Sequence, residues 1–250
     1  MPTLHIVIPV YNERGTLEPC IERVIASALP AGWRRGIILI DDHSDGAHYP
    51  AVESLVHRLQ AEGRDLQFFR HDVNRGKGAA LQTGFDAVLA HDPDPDDLVI
   101  IQDADLEYDP NDYTSLMRPI IERQADAVVG TRWGKHYTYK SFKHRVHALG
   151  NGALTMLSNA MTGYRVSDME CCYKVVPVSL LKRLRPMLNE MRFGIEPQMV
   201  ACLSRLGAQV VEVPVRYDPR GVSAGKKIGW RDGVRALIVI ARERLRGGRE

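Results

Sequence analysis

Apolar residues gather in short unbroken runs along the first half of the chain, and each run closes in polar or turn residues. Leu66 to Arg70, which includes Gln67 and Arg70, reads as a further strand, while His5 to Val10, Ile37 to Ile40 and Leu98 to Ile101 are such runs. Their length and flanks predict strands buried on both faces. Helix-like stretches separate them, one from Thr16 to Ala28 and one beginning near Lys77. This alternation, continuing to about Thr131, predicts an α/β fold with a mostly parallel, Rossmann-like sheet flanked by helices. Further on, Ala148 to Gly163 predicts a helix with Leu149, Leu154, Leu157 and Met161 on one face. Strands are predicted in DMECCYKV, Asp168 to Val175, and across Gln209 to Tyr217. Trp230 to Arg246 reads as an amphipathic helix, with Trp230, Val234, Leu237, Ala241 and Leu245 on one face and Arg231, Arg235, Arg242 and Arg246 on another. Such a helix packs as the last helix of a core or lies in a lipid headgroup layer.

The polar ends of the strands carry the candidate chemistry. The first strand runs through Pro9 into Tyr11 and Glu13, an aromatic that stacks on a base and an acid that accepts from ribose or base donors. The second ends in Asp41 and Asp42, suited to ribose, base or neighbouring backbone. After the third comes NRGKGAALQTG, in which Gly76 and Gly78 admit close backbone approach and Lys77 opens a helix, where an anion would bind. The fourth ends in Asp103, Asp105 and Glu107, three acids two apart that a strand-to-turn junction can aim at one point. Ligands of open α/β sheets gather at the carboxyl ends of strands. No G-x-G-x-x-G follows the first strand, so a metal rather than a glycine loop is expected to hold the phosphates. Hard oxygen ligands beside a diphosphate suit Mg²⁺ or Mn²⁺.

Composition narrows the field. The chain has 250 residues, 44% of them hydrophobic, enough for one large α/β domain. A net charge of +2 with no RNA- or DNA-binding motif gives no sign of a nucleic-acid partner. Four cysteines without a C-x-x-C pair read as reduced cytosolic thiols. The first strand begins within a few residues of the start, so no signal peptide is expected, and no segment reaches the roughly 18–20 apolar residues of a spanning helix.

VIPVYNE, the Asp41-Asp42 pair, NRGKGAAL and DADLE, in this order, resemble the inverting nucleotide-sugar transferases of glycosyltransferase family 2, with a GT-A fold. GTRW (Gly130 to Trp133), SDMECCYKV, RFGIEP (Arg192 to Pro197) and YDPRGVSAGKKIGW (Tyr217 to Trp230) resemble the dolichyl- and polyprenyl-phosphate hexosyltransferase branch, typified by dolichol-phosphate mannosyltransferases. The resemblance spans about Ile6 to about Leu245. It implies a catalytic unit over residues 1–230, with a nucleotide-binding half to about 131 and an acceptor half beyond, followed by the amphipathic helix and tail.

The same resemblance implies roles. Pro9, Tyr11, Glu13, Asp41, Asp42, Gly76, Lys77, Asp103 and Arg132 would bind the nucleotide sugar. Asp103, Asp105 and Glu107 would hold Mg²⁺ or Mn²⁺, with Glu107 direct or through water. Arg145, Arg220 and Lys227 would take the acceptor phosphate, and Asp168, Asp105, Arg220 and Lys227 would form the catalytic group. Asp168 is a base for a hydroxyl acceptor or an orienting group for a phosphate acceptor. Glu170 and Glu196 read as packing, capping or substrate-contact acids.

The implied function is transfer of a hexose from a GDP- or UDP-sugar to a polyprenyl phosphate. The protein would sit in the cytoplasm, at the membrane surface, with room for a membrane-anchored partner. A family 2 enzyme with a saccharide or small hydroxyl acceptor, and a nucleotide-sugar-binding protein without turnover, are the alternatives.

Overall fold

A computed structural model describes residues 1–133, 142–219 and 230–247, without the side chains of 142–148, 230–232 and 247. Seven strands form one sheet in the order β3-β2-β1-β4-β6-β5-β7. They are β1 (Thr3–Val10), β2 (Arg34–Asp41), β3 (Leu66–Arg70), β4 (Leu98–Ile101), β5 (Ala127–Thr131), β6 (Lys174–Pro177) and β7 (Val210–Pro214). Only β6 runs against its neighbours β4 and β5. The four predicted N-terminal strands are all present. Ile6, Val7, Ile8, Ile38, Leu39, Ile40 and Ile100 are at most 1% exposed. Burial on both faces explains why β1, β2 and β4 read as largely continuous apolar runs, whereas β3, at the sheet edge, is half-buried and mixes Gln67 and Arg70 with its apolar residues.

The predicted strand at Asp168 is shorter than expected. Residues 168–173 lie before β6 as turn and extended chain, and the ladder begins at Lys174. Lys174 is 1% exposed, and its ammonium donates to the carbonyls of Met169 and Cys171, folding the preceding segment back on itself.

Eight α-helices complete the described chain. Three of them, α1 (Leu17–Ala26), α2 (Tyr49–Ala61) and α3 (Lys77–Leu89), serve the first half, and α4 (Tyr113–Ile121) precedes β5. The others are α5 (Phe142–Thr162), α6 (Val178–Leu184), α7 (Ile195–Arg205) and α8 (Trp230–Gly247). Helix α8 packs against α5 and α7.

The predicted faces of the last helices turn out differently from the simplest amphipathic reading. In α5, Leu154 and Met161 pack inward, whereas Leu149 is 75% and Leu157 41% exposed, beside exposed Ala153, Met156 and Ala160. In α8 the apolar stripe is outward: Val234, Leu237, Ile238 and Leu245 are all exposed. The buried face is Ala236, Val239, Ile240 and Glu243. Of the four arginines predicted on another face, Arg235, Arg242 and Arg246 reach buried acids, and the side chain of Arg231 lies outside the described residues. Arg235 is bidentate to Glu190 at 2.9 and 3.0 Å, Arg242 reaches Glu190 at 2.9 Å, and Arg205 and Arg246 reach Glu243 at 2.8 and 3.3 Å. A carboxylate that is 2% exposed needs such partners, since an unpaired buried charge is costly. Among the described residues no helix is long and apolar enough to cross a membrane.

Loop 189–194 wedges between α8 and the start of α3. The Glu190 carbonyl accepts from Gln82 Nε2 at 2.9 Å, and the Met191 carbonyl from the Ala79 amide at 3.0 Å. A Cβ on Gly78 would stand 2.1 Å from the Glu190 carbonyl oxygen. Both partners there are backbone, so no side chain can move aside. Gly78→Ala should therefore lower stability by more than about 2 kcal/mol, seen as a fall in Tm of several degrees in calorimetry. An unchanged Tm would mean that this wedge is not tightly packed.

Candidate functional site

The site forms where β1, β2 and β4 end side by side. Each strand leaves the sheet through a non-glycine residue of positive φ: Asn12 at 57°, His43 at 63° and Leu106 at 65°. That conformation disfavours L side chains and persists only where surrounding bonds hold it. Asn12 is tied to the β2 turn, its amide donating to Ser44 Oγ at 3.0 Å and its side chain exchanging bonds with Asp45. Tyr11 is 37% exposed, and Glu13 accepts from Thr16 Oγ1 at 2.7 Å. Pro9 is half-buried within β1, opposite Ile40.

Asp41 and Asp42 are 0% and 2% exposed. Asp41 accepts from the Ser44 amide at 3.2 Å and pairs with Arg70 at 3.2 Å. Asp42 accepts from the Arg75 and Gly76 amides at 2.8 and 2.7 Å and sits 2.7 Å from His71 Nδ1. Both carboxylates meet the protein's own backbone, alongside the Arg70 and His71 side chains. Asp42 thereby shapes the Gly76 loop, where φ is +96°.

The Asp103–Glu107 turn is anchored from beneath. Gln102 Oε1 accepts from the hydroxyls of Tyr113 and Tyr173 at 2.6 and 2.7 Å, and its Nε2 donates to the Asp103 carbonyl at 2.9 Å. Burial pushes both tyrosines well above the usual phenol range, so the hydroxyls stay protonated donors.

Above this anchor, Lys77 Nζ donates to Asp103 at 2.7 and 2.9 Å, one contact per carboxylate oxygen, and lies 2.7 Å from Glu196 on α7. Burial alone would lower the Lys77 pKa, but the two carboxylates hold it well above the usual lysine value. Asp105 Oδ1 accepts from the Glu107 amide at 3.1 Å.

The expected three-acid convergence is not formed. Glu107 accepts from the Tyr217 hydroxyl at 2.7 Å. Among the described residues no group of three or more His, Cys, Asp and Glu side chains is placed to hold a metal. The reason is the left-handed turn at Leu106, which breaks the two-residue alternation that sequence spacing suggested. Asp103 and Asp105 still fit a hard cation, since Mg²⁺-type ions bind through one or two carboxylates plus water and phosphate. A cationic ammonium already rests on Asp103, which shows that the position accommodates positive charge.

A second charged cluster lies at the ends of β5 and β7. Arg132 grips Asp168 in a fork, Nε and Nη2 each at 2.6 Å, and its amide adds a third bond at 3.0 Å. Asn151 of α5 donates a fourth at 2.9 Å. Burial pushes Asp168 up, yet the Arg132 charge and hydrogen bonds outweigh it and hold the acid below the usual carboxylate range. Asp168 is fully buried, with Arg132 and Asn151 as its side-chain partners. Arg132 borders a cavity of about 240 Å³, with Glu107, Tyr108, Arg216, Tyr217 and Asp218 on its walls. The side chain of Arg145, and residues Arg220 and Lys227, lie outside the described residues.

Residues 5–185 match the sequence model of the family described as Glycosyl transferase family 2. The chain belongs to glycosyltransferase family 2. A dodecaprenyl-phosphate galacturonate synthase of Rhizobium johnstonii is 28% identical over 214 residues, 83% of this chain but 58% of its own length. The chain therefore spans little over half of that relative. A UDP-N-acetylglucosamine–dolichyl-phosphate N-acetylglucosaminyltransferase of Methanococcus voltae is 24% identical over 248 residues, 94% of this chain and 95% of that protein. The fold matches glucosyl-3-phosphoglycerate synthase from Mycobacterium tuberculosis, crystallised with Mn²⁺, UDP and glucosyl-3-phosphoglycerate, with TM-score 0.68 and 16% identity. That match covers 97% of this chain and 80% of the other, and shows the GT-A architecture.

Three residues of this candidate site carried little signal in the sequence. Glu196 forms an ion pair with Lys77 rather than only capping α7. Asn151 braces Asp168, and the one signal for it was a polar residue between two glycines. Glu212 accepts from the Ser167 and Asp168 amides at 2.6 and 3.0 Å, and nothing in its spacing marked it.

Burial, then the nearby Glu196 charge, raises Glu170 from 4.5 to about 7. Its folded pKa exceeds its unfolded value, so its contribution to stability is lost as pH rises through about 7. Glu170→Gln should then leave Tm nearly unchanged at about pH 4, below the unfolded value of 4.5, and raise it at about pH 8. Equal Tm shifts at both values would show that Glu170 titrates normally.

Proposed function

We propose that this chain is an inverting transferase that moves a hexose from a UDP- or GDP-sugar to a polyprenyl phosphate. The observation that carries this reading is the engagement of Asp168. A hydroxyl acceptor requires a base near the anomeric carbon, whereas a phosphate acceptor arrives already ionised. Asp168 is buried and held by Arg132 and Asn151, which suits an acceptor that brings its own anionic oxygen.

In this reading Asp103 and Asp105 hold Mg²⁺ or Mn²⁺, which would supply Lewis-acid stabilisation of the departing diphosphate. Tyr11 and Glu13 face the nucleoside, and Lys77 faces the donor phosphates or sugar. Arg132, fixed by Asp168, presents its guanidinium for phosphate contact. Arg145, Arg220 and Lys227 take the acceptor phosphate. A single in-line displacement inverts the anomeric carbon. Glu170, raised to about 7, is the one observation that favours a hydroxyl acceptor, because a carboxylate with that pKa serves as a base near neutral pH.

The outward apolar stripes of α5 and α8 supply the membrane contact. Val234, Leu237, Ile238 and Leu245 face away from the core, with Arg235 and Arg242 on one flank and Arg244 on the other. Apolar residues seated at the headgroup boundary between basic flanks describe a peripheral helix on the cytoplasmic surface. A membrane-anchored partner is compatible with the same stripe.

The deciding experiment crosses radiolabelled UDP- and GDP-hexoses with polyprenyl phosphate, free polyprenol and simple saccharides. Lipid-phosphate product should form with at least one donor, vanish in excess EDTA and fall by about 10²-fold or more in Asp105→Asn, because the diphosphate loses electrostatic stabilisation. Equal turnover of neutral acceptors would overturn the phosphate reading, and full turnover in EDTA would remove the metal.

Leu237→Ser with Ile238→Ser should weaken cosedimentation with anionic vesicles while leaving Tm within a degree or two, since both side chains are exposed. Unchanged vesicle binding would place the membrane contact elsewhere.

A further inference from the structure

Lys77 occupies Asp103 more completely than a simple ion pair requires. Its ammonium contacts both carboxylate oxygens, at 2.7 and 2.9 Å, and the side chain is only 14% exposed. Its position is set on both sides. Gly76, with φ +96°, fixes the turn into α3, and a Cβ there would come within 2.5 Å of the Met191 carbonyl oxygen. The third contact of the ammonium is Glu196 Oε1 at 2.7 Å. Glu196 is 4% exposed, and its other oxygen, Oε2, is buried with no hydrogen-bond partner among the described residues. An unpaired buried carboxylate oxygen is costly to maintain. Here it is an open acceptor on the same carboxylate that already meets Lys77 through Oε1.

We infer that Lys77 is a built-in counterion that guards Asp103, and that Glu196 is the station to which it withdraws. This inference rests on the donor-site reading above. With Lys77 on Asp103, a divalent cation must displace an ammonium whose charge also repels it. When a nucleoside diphosphate enters, its phosphates offer Lys77 a new anion, and Glu196 Oε2 holds the retracted end of its path. Asp103 is then released. The ion and the nucleotide therefore load cooperatively, and the free protein resists the ion alone. Lys77 is a positioning residue for metal loading as well as a donor contact.

The two flanking substitutions make opposite predictions. Lys77→Met removes the guard and exposes Asp103. Glu196→Gln removes the station and leaves the ammonium with Asp103 as its one carboxylate partner. A merely structural role for the pair would weaken ion binding in both variants.

The test is titration of the full chain with Mn²⁺, read by electron paramagnetic resonance of the free ion, alone and with saturating UDP or GDP. In the wild type, nucleotide should tighten Mn²⁺ binding by about tenfold or more, within the usual range of coupling between two sites. Without nucleotide, Lys77→Met should bind Mn²⁺ about tenfold more tightly than wild type, and Glu196→Gln several-fold more weakly. Lys77→Met binding no more tightly than wild type would overturn the inference. So would wild-type affinity that is equal with and without a nucleotide shown to bind. Should Lys77→Met fail to fold, Glu196→Gln decides, and an affinity equal to or above wild type would overturn the inference. If neither UDP nor GDP binds under any condition, the donor-site reading fails, while the nucleotide-free comparison of the variants still judges the guard.

Discussion

Everything at the mouth of this sheet depends on compensating carboxylates that the strands carry into low-dielectric surroundings. Lys77 is the central instance. One ammonium joins the end of β4 to α7 through Asp103 and Glu196, and so binds segments more than ninety residues apart into one wall. The same requirement recurs at each acid. Asp42 draws in the Arg75 and Gly76 amides, Asp168 draws in Arg132 and Asn151, and Glu190 draws in Arg235 and Arg242. A buried charge without its partner is costly, so each acid selects where its neighbouring element must lie.

These links connect the outer helix to the inner site. Glu190 offers its carboxylate to α8 and its backbone carbonyl to Gln82 of α3. A single residue thus stands between the arginines of a helix with an exposed apolar stripe and the helix that begins at Lys77. The tyrosine pair on Gln102 performs the corresponding service beneath Asp103, as neutral donors that add no charge to a crowded acidic turn.

Much of the site was legible because strands that end in acids, followed by glycine and lysine at a helix start, constrain where ligands gather. Asp103, Asp105, Lys77, Asp42 and Arg132 were all named from spacing and resemblance; Asp42, Asp103, Asp105 and Arg132 follow strand ends, and Lys77 opens α3. Their partners were not legible. Spacing suggested three acids on one metal, but Leu106 turns left-handed and Glu107 goes to Tyr217. Whether Asp168 serves as a base or as an orienting group stayed open in the sequence, because its pairing with Arg132 depends on β5 lying beside the segment that precedes β6, a long-range arrangement.

The sequence by itself determined most of the strand and helix inventory, the mostly parallel character of the sheet and the membership of family 2. Those rest on local periodicity, on turn residues and on motifs read in order. Tertiary structure decided direction and partnership. Periodicity placed Val234, Leu237 and Leu245 on one face of α8 and the arginines on another, but it could not say which face the core would take. The core took Ala236, Val239, Ile240 and Glu243, because small and β-branched residues fit close against α5 and α7 and arginines can reach the buried acids from the flank. A face is a property of one helix, whereas burial is a property of what packs against it.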